Sequence, residues 1–246
     1  MELIGCRQFD LNLAKAVVEQ MVAAFESLDP VALVSANTAA VPAAPGVYQL
    51  LHKRSLVYVG QAADTLQGRL ERHRTTLSGR KGIAIEDMQY RALVVNRNWS
   101  TLATEQALLS HYGGSPTWNN SGFGSNDPGR IRDQTAEKPG HFNVQFPINI
   151  EYPADASALN ASHAHVVLER LKETAPFIIR FDSAAMDALR RVELREVRGS
   201  SIAAVLTAIG RALGPDWQVS ALPGRVLIYR ESGQAYPNAD VVWPKR

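Results

Sequence analysis

The sequence predicts an α+β protein: a small β-sheet flanked by helices, followed by an additional small C-terminal α+β domain. Three observations predict this. Two short β-type runs lie on either side of a polar turn between residues 46 and 60. Segments 10–27, 64–77 and 100–112 around them carry apolar residues at helical spacing. Beyond residue 150 helix and strand patterns mix again, in the order αβα and then αββ.

The first helix is expected over residues 10–27, capped by Asp10 or Asn12, with Leu13, Val17, Met21 and Phe25 on one stripe. Residues 28–45 hold three prolines and read as a connection, with one short extended piece near Ala32–Ser35. Val47–Leu51 and Leu56–Gly60 read as strands joined by the turn His52-Lys53-Arg54-Ser55. Residues 64–77 follow as a helix, Gln89–Val95 as a third strand, and Ser100–Tyr112 as a helix ended by Gly113-Gly114. Residues 114–132 form a long polar loop, a kind that is usually functional or disordered. In the C-terminal third, 162–174, 183–192 and 200–213 read as helices. Strands are expected at 177–181, 217–222 and 225–230, the last two forming a hairpin around Pro223-Gly224. The expected division is 1–45 as N-terminal helix and connection, 46–150 as core, and 155–246 as a C-terminal α+β domain of unassigned role.

Composition narrows the function classes. The hydrophobic fraction of 46% is an ordinary globular value. No apolar run approaches the roughly 18–20 residues that span a bilayer. The opening MELIGCRQFDLN does not read as a signal peptide, so a cytoplasmic protein with no membrane partner is expected. The one cysteine, Cys6, excludes an internal disulfide and cysteine-based zinc sites. Net charge is only +2, but it is unevenly spread. Residues 51–132 hold eleven basic and six acidic side chains, the rest of the chain being balanced or acidic. A polyanion would dock there.

The candidate chemistry lies in the same stretch. Tyr48 and Tyr58 sit on adjacent strands, where cross-strand neighbours approach to about 5 Å. Arg69 and His73 are four apart on the next helix and share a face. Glu105 is the only acid between Asp87 and Asp127, and Asn119 and Asn120 lie in the polar loop. Phosphodiester hydrolysis uses these residue types. A carboxylate holds a divalent metal, an arginine stabilises phosphoryl charge, and a base activates water. Mg²⁺ keeps most of its waters and often takes one or two carboxylates, so a single Glu suffices. A tyrosine serves as base only when a cation lowers its pKa from about 10. Taken singly, each residue is more often a packed or solvated side chain than a catalytic one; Trp118 reads as core. The ordered set carries the signal.

That set resembles the GIY-YIG nuclease superfamily, whose name-giving triplets stand here as Gly46-Val47-Tyr48 and Tyr58-Val59-Gly60. Arg69, Glu105 and an Asn-bearing loop follow. The resemblance is closer to the type II restriction endonuclease branch that cuts CCGCGG, through His73 one turn after Arg69 and through Gly122–Arg130, which is similar to its GFG…DPG signature. It covers about residues 5–150. A longer insertion found in that branch is missing between Tyr58 and Arg69. The resemblance implies Tyr48 as general base, Tyr58 as phosphate contact or water-positioning group, and Arg69 and His73 as stabilisers of phosphate charge or aids to proton transfer. It implies Glu105 as the Mg²⁺ (or Mn²⁺) ligand and Asn119, or its neighbour Asn120, as the residue orienting Glu105 or the phosphate. Contacts to double-stranded DNA are expected from Arg72, Arg74, Arg80, Lys81, Asn120, Asn126, Arg130 and Arg132, and palindromic cutting implies a homodimer. Two other readings stand beside it: a GIY-YIG repair, mobile-element or effector nuclease targeted by its C-terminal domain, and a non-catalytic DNA-binding protein.

Overall fold

The computed structural model of the chain describes residues 9–10, 12–95, 105–113, 116–124, 129, 133–194, 197 and 201–244; for 105 and 106 it describes the backbone alone. The chain falls into two compact units, Met1–Arg72 with Ile85–Asn119, and His73–Ala84 with Asn120–Arg246. The division does not follow chain order, because a single helix changes allegiance halfway along.

The first unit contains α1 (Leu13–Glu26), β1 (Val31–Ala32), α2 (Ser35–Ala39), β2 (Gly46–His52), β3 (Ser55–Ala62), the start of α3 (Leu66–Ser78), β4 (Met88–Val94) and α4 (Glu105–His111). Its sheet is antiparallel in the order β1-β4-β2-β3, so β2 is flanked on both sides. Asn12 caps α1 by accepting from the Lys15 amide at 3.0 Å. The buried stripe of α1 is Val18, Val22 and Phe25, which pack with Val47, Val59 and Leu108. Leu13 is exposed, while Val17 and Phe25 of the expected stripe are buried and Met21 packs against the same cluster. The segment read as a connection contains β1, which pairs with β4, and the one-turn α2, which has no side-chain N-cap bond.

The β2–β3 turn places two non-glycine residues, Lys53 and Arg54, at φ 51 and 69. Positive φ at both central positions is the requirement of a type I′ hairpin turn. The register slips once, between Leu50 and Leu51, where Leu50 faces Tyr58 and Leu51 faces Leu56. Val57 is therefore an extra residue, and Tyr58, Gly60 and Ala62 share a face with Leu50, Tyr48 and Gly46.

The second unit contains the end of α3, α5 (Phe142–Gln145), α6 (Ala156–Leu159), α7 (Ala164–Thr174), β5 (Ile178–Phe181), α8 (Ser183–Leu189), α9 (Ile202–Leu213), β6 (Gln218–Ala221), β7 (Arg225–Tyr229) and β8 (Asp240–Trp243). Its sheet runs β5-β7-β6-β8, with β5 and β7 parallel and the other pairs antiparallel. The predicted α9 stripe of Ile202, Val205, Leu206 and Ile209 is buried against this sheet, and Gly214 at φ 89 ends the helix. Strand β8 is absent from the sequence expectation. Gly210 makes room for it: a Cβ there would stand 2.5 Å from Trp243 Cγ.

Candidate active site

Tyr48 occupies the middle of β2, with Gly60 opposite it on β3 and Ala92 opposite it on β4. Two small neighbours leave space for the phenol on the sheet surface. A Cβ on Gly60 would lie within 2.5 Å of Tyr48 Cζ, so the glycine of the second triplet is where the tyrosine of the first one rests. The glycine of the first triplet has a similar cause: a Cβ on Gly46 would lie 2.6 Å from Leu66 Cδ1 and closer still to the Leu93 carbonyl. Tyr58 is diagonal to Tyr48, not directly opposite, and the ring centroids are 6.1 Å apart. The register irregularity at Val57 and the ten-residue tyrosine spacing together produce that offset.

Arg69 on α3 donates from Nε to the Tyr48 hydroxyl at 3.2 Å. Burial pushes the Tyr48 phenol far above its ordinary value, and the Tyr58 hydroxyl beside it adds to the rise. The bond and charge of Arg69 pull the other way but do not win. For Arg69, burial works against the charged form, and its bonds to Tyr48 and Tyr58 outweigh it, leaving the guanidinium above its usual value. The resting pair at neutral pH is thus a neutral phenol and a charged guanidinium.

Asn119 lies against the outer edge of β3. Its Nδ2 donates to the Val59 carbonyl at 2.7 Å, and its Oδ1 accepts from the Val59 amide at 2.9 Å. One side chain therefore imitates a neighbouring strand and caps an edge that would otherwise be unpaired. The Trp118 amide continues this edge by donating to the Val57 carbonyl at 2.9 Å, satisfying the extra residue of the bulge. Trp118 is buried, as its core reading expects, with its ring near His52. These bonds give Asn119 a place in the sheet that the sequence reading did not include.

Glu105 is the first residue of α4, a helix that packs on α1 and β3; its side chain lies outside the described residues. His73, on α3 one turn beyond Arg69, belongs to the second unit and is 4% exposed. Arg72, Lys81 and Asn120 are exposed and Arg74 is half-buried. Arg80 departs from the expected DNA-contact set. It is 9% exposed, and its Nη1 donates to Asn143 Oδ1 at 2.9 Å and to the carbonyls of Phe146 and Pro223 at 3.1 and 3.4 Å. Burial brings its pKa down to about 10. Arg80 holds loop backbone together within its own unit. Asn126, Arg130 and Arg132 lie outside the described residues. Two neighbours of the site carry no role in the sequence reading: Ala92, legible only once β4 is registered against β2, and Phe123 of the Gly122–Arg130 signature, which stacks on His73.

A hairpin with a buried tyrosine seated on the glycine of its second strand, an arginine bonded to that tyrosine, and flanking helices are consistent with the GIY-YIG fold. Residues 51–140 match the family model of the Eco29kI GIY-YIG domain, a family of type II restriction enzymes. The chain carries the catalytic domain of an endodeoxyribonuclease. The matched stretch takes in Tyr58, Arg69, His73, Glu105, Asn119 and the Gly122–Arg130 segment; Tyr48 lies just upstream of it and enters through its bond to Arg69. No curated protein matches the chain. Among the described residues, no helix is long and apolar enough to cross a membrane.

Proposed function

We propose that this protein is a type II restriction endonuclease that cuts a short palindrome in duplex DNA with the help of a divalent cation, Mg²⁺ or Mn²⁺, as a homodimer. The observation that carries the reading is the Tyr48–Arg69 pair on the hairpin of a domain whose matched family consists of restriction enzymes. The cation reading rests on donor chemistry. Among the described residues no three His, Cys, Asp or Glu side chains converge. A hydrated hard cation needs only one or two carboxylates, and Glu105 is the carboxylate that the family resemblance assigns to it. When bound, such a cation neutralises phosphate charge and favours deprotonation of groups near it.

In this reading the chain's own residues divide the work. Tyr48 accepts a proton from the attacking water. Its phenol is held by Arg69 but is not ionised by it, so ionisation awaits the charge that arrives with the substrate complex. Tyr58 contacts the scissile phosphate or positions the water. Arg69 and His73 stabilise negative charge on the phosphoryl oxygens, where charged donors in a closed site are most effective. Asn119 fixes the edge of β3 and with it the placement of Tyr58, and Asn120 remains the neighbouring candidate for a direct phosphate contact. Arg72, Arg74, Lys81, Asn120, Asn126, Arg130 and Arg132 supply DNA contacts.

A panel of plasmids incubated with purified protein and Mg²⁺ tests this. Discrete fragments from cutting at one palindrome are expected, with cleavage abolished in Glu105→Ala. Random nicks, or cuts confined to branched or flapped DNA, would instead indicate a nuclease directed by its C-terminal unit. Cleavage that survives Glu105→Ala would refute the metal assignment.

A further inference from the structure

The Gly122-Phe123-Gly124 segment has no part in the chemistry set out above, yet its geometry is specific. Gly122 and Gly124 have φ of 89 and 73, a backbone region that side chains rarely adopt. A Cβ on Gly122 would overlap the His141 ring, at 2.7 Å from Cε1. Between these two glycines the chain turns Phe123 inward, where it is 6% exposed. Its ring stacks on the His73 imidazole, with centroids 5.0 Å apart and planes 27° from parallel. Phe123 also meets Phe142, with centroids 4.6 Å apart, and Phe142 meets Phe146 at 5.2 Å, both pairs tilted. The Phe142 amide donates to the Ser121 carbonyl at 2.7 Å, and the Arg80 guanidinium sits 5.3 Å over the Phe142 ring. The imidazole thus belongs to a braced aromatic cluster.

We propose that Phe123 is a positioning residue for strand cleavage: it fixes the ring plane of His73, and the two glycines exist to deliver it. This rests on the reading that His73 acts on the reacting phosphate. A histidine with free χ2 rotation presents its N–H groups in many directions, whereas a stacked ring is left with few. Misplacement of a catalytic group by about 1 Å costs up to about a hundredfold in rate. Loss of the stack should therefore slow the chemical step and spare DNA binding, because Phe123 offers the DNA no charge or hydrogen bond.

The test uses the full-length protein on supercoiled plasmid with Mg²⁺, read as single-turnover cleavage rate, DNA-binding midpoint and the His73 ring resonances in NMR spectra. Phe123→Leu should lower the cleavage rate at least about tenfold, leave the binding midpoint within about twofold, and remove the ring-current shift from His73. Phe123→Tyr, which keeps an aromatic face, should restore both rate and shift. Phe146→Leu, two rings away, controls for general loosening of the stack and should cleave normally. In the double variant with His73→Ala, Phe123→Leu should add no further loss, since it acts through His73. If Phe123→Leu cleaves at the wild-type rate while His73→Ala is impaired, the proposal is overturned and the role of His73 stands. Losses that multiply in the double variant also overturn it. If His73→Ala cleaves normally, the reading of His73 falls and the proposal falls with it.

Discussion

Gly60 and Tyr48 stand opposite one another on β3 and β2, and the phenol lies where a side chain on Gly60 would be. Gly60→Ala therefore forces the phenol off Arg69. Plasmid cleavage should fall about a hundredfold, and overpacking should remove about 1–3 kcal/mol of stability. Parallel cleavage and urea-unfolding assays check both, and an alanine variant with normal cleavage would show that the phenol position is immaterial. Asn119 makes the opposite kind of prediction. Its amide satisfies both backbone groups of Val59, so Asn119→Ala should cost about 1–3 kcal/mol by leaving them without partners. An unchanged urea midpoint combined with lost cleavage would place Asn119 in the chemistry and not at the sheet edge. His52 carries a pH effect. Burial first, and then the Lys53 charge, hold its folded pKa below 6.5, with Asp87 opposing. The unfolded chain thus binds more protons near that pH, and stability rises with pH through the window just below 6.5 and is lost as pH falls through it. His52→Gln should flatten that slope in melting curves recorded between about pH 5 and 8.

At the scale of elements, much of the chain was legible because its signals are local. The hairpin, α3, α7 and α9 follow their apolar periods and caps to within a few residues. The failures are of tertiary origin. The period of α1 marks its packed residues Val17, Met21 and Phe25, but the partners Val47, Val59 and Leu108 come from other elements. Helix α2 is one turn long with no side-chain N-cap bond, and β8 forms only because β6 offers it an edge. The tyrosines were expected side by side. The register irregularity at Val57, invisible in the sequence, makes them diagonal and puts Gly60 under Tyr48. Within the site, residue types and order were readable, and the partners Ala92, Val59 and Phe123 were not, because each depends on register or loop geometry. The β2–β3 turn yields an element-scale prediction. Replacing Lys53-Arg54 by Asn-Gly relieves two non-glycine residues at positive φ and should stabilise the protein by about 1 kcal/mol. A lower melting temperature in that variant would mean that the Lys53 contacts with Asp87 outweigh the backbone strain.

Across the whole molecule, the residues of α3 are divided between the two units, with Arg69 in the first and His73 in the second. Each unit has its own four-stranded sheet, and the second, whose core is built from α7, α8, α9 and β5–β8, accounts for the C-terminal third that showed no resemblance to the nuclease branch. If each chain cuts one strand, as proposed, symmetric cutting of a palindrome requires two chains per duplex. Sedimentation of the protein on its cleaved sequence should give that stoichiometry, and one chain per duplex would argue against palindromic cutting. If the Tyr48 hydroxyl held by Arg69 accepts the proton of the attacking water, the plasmid cleavage rate of Tyr48→Phe, which removes a single oxygen, reports it most directly. Wild-type protein should cut plasmid in the presence of Mg²⁺, and the variant should be slowed at least about a hundredfold while keeping a cooperative melting transition. A variant that cuts at the wild-type rate would contradict it.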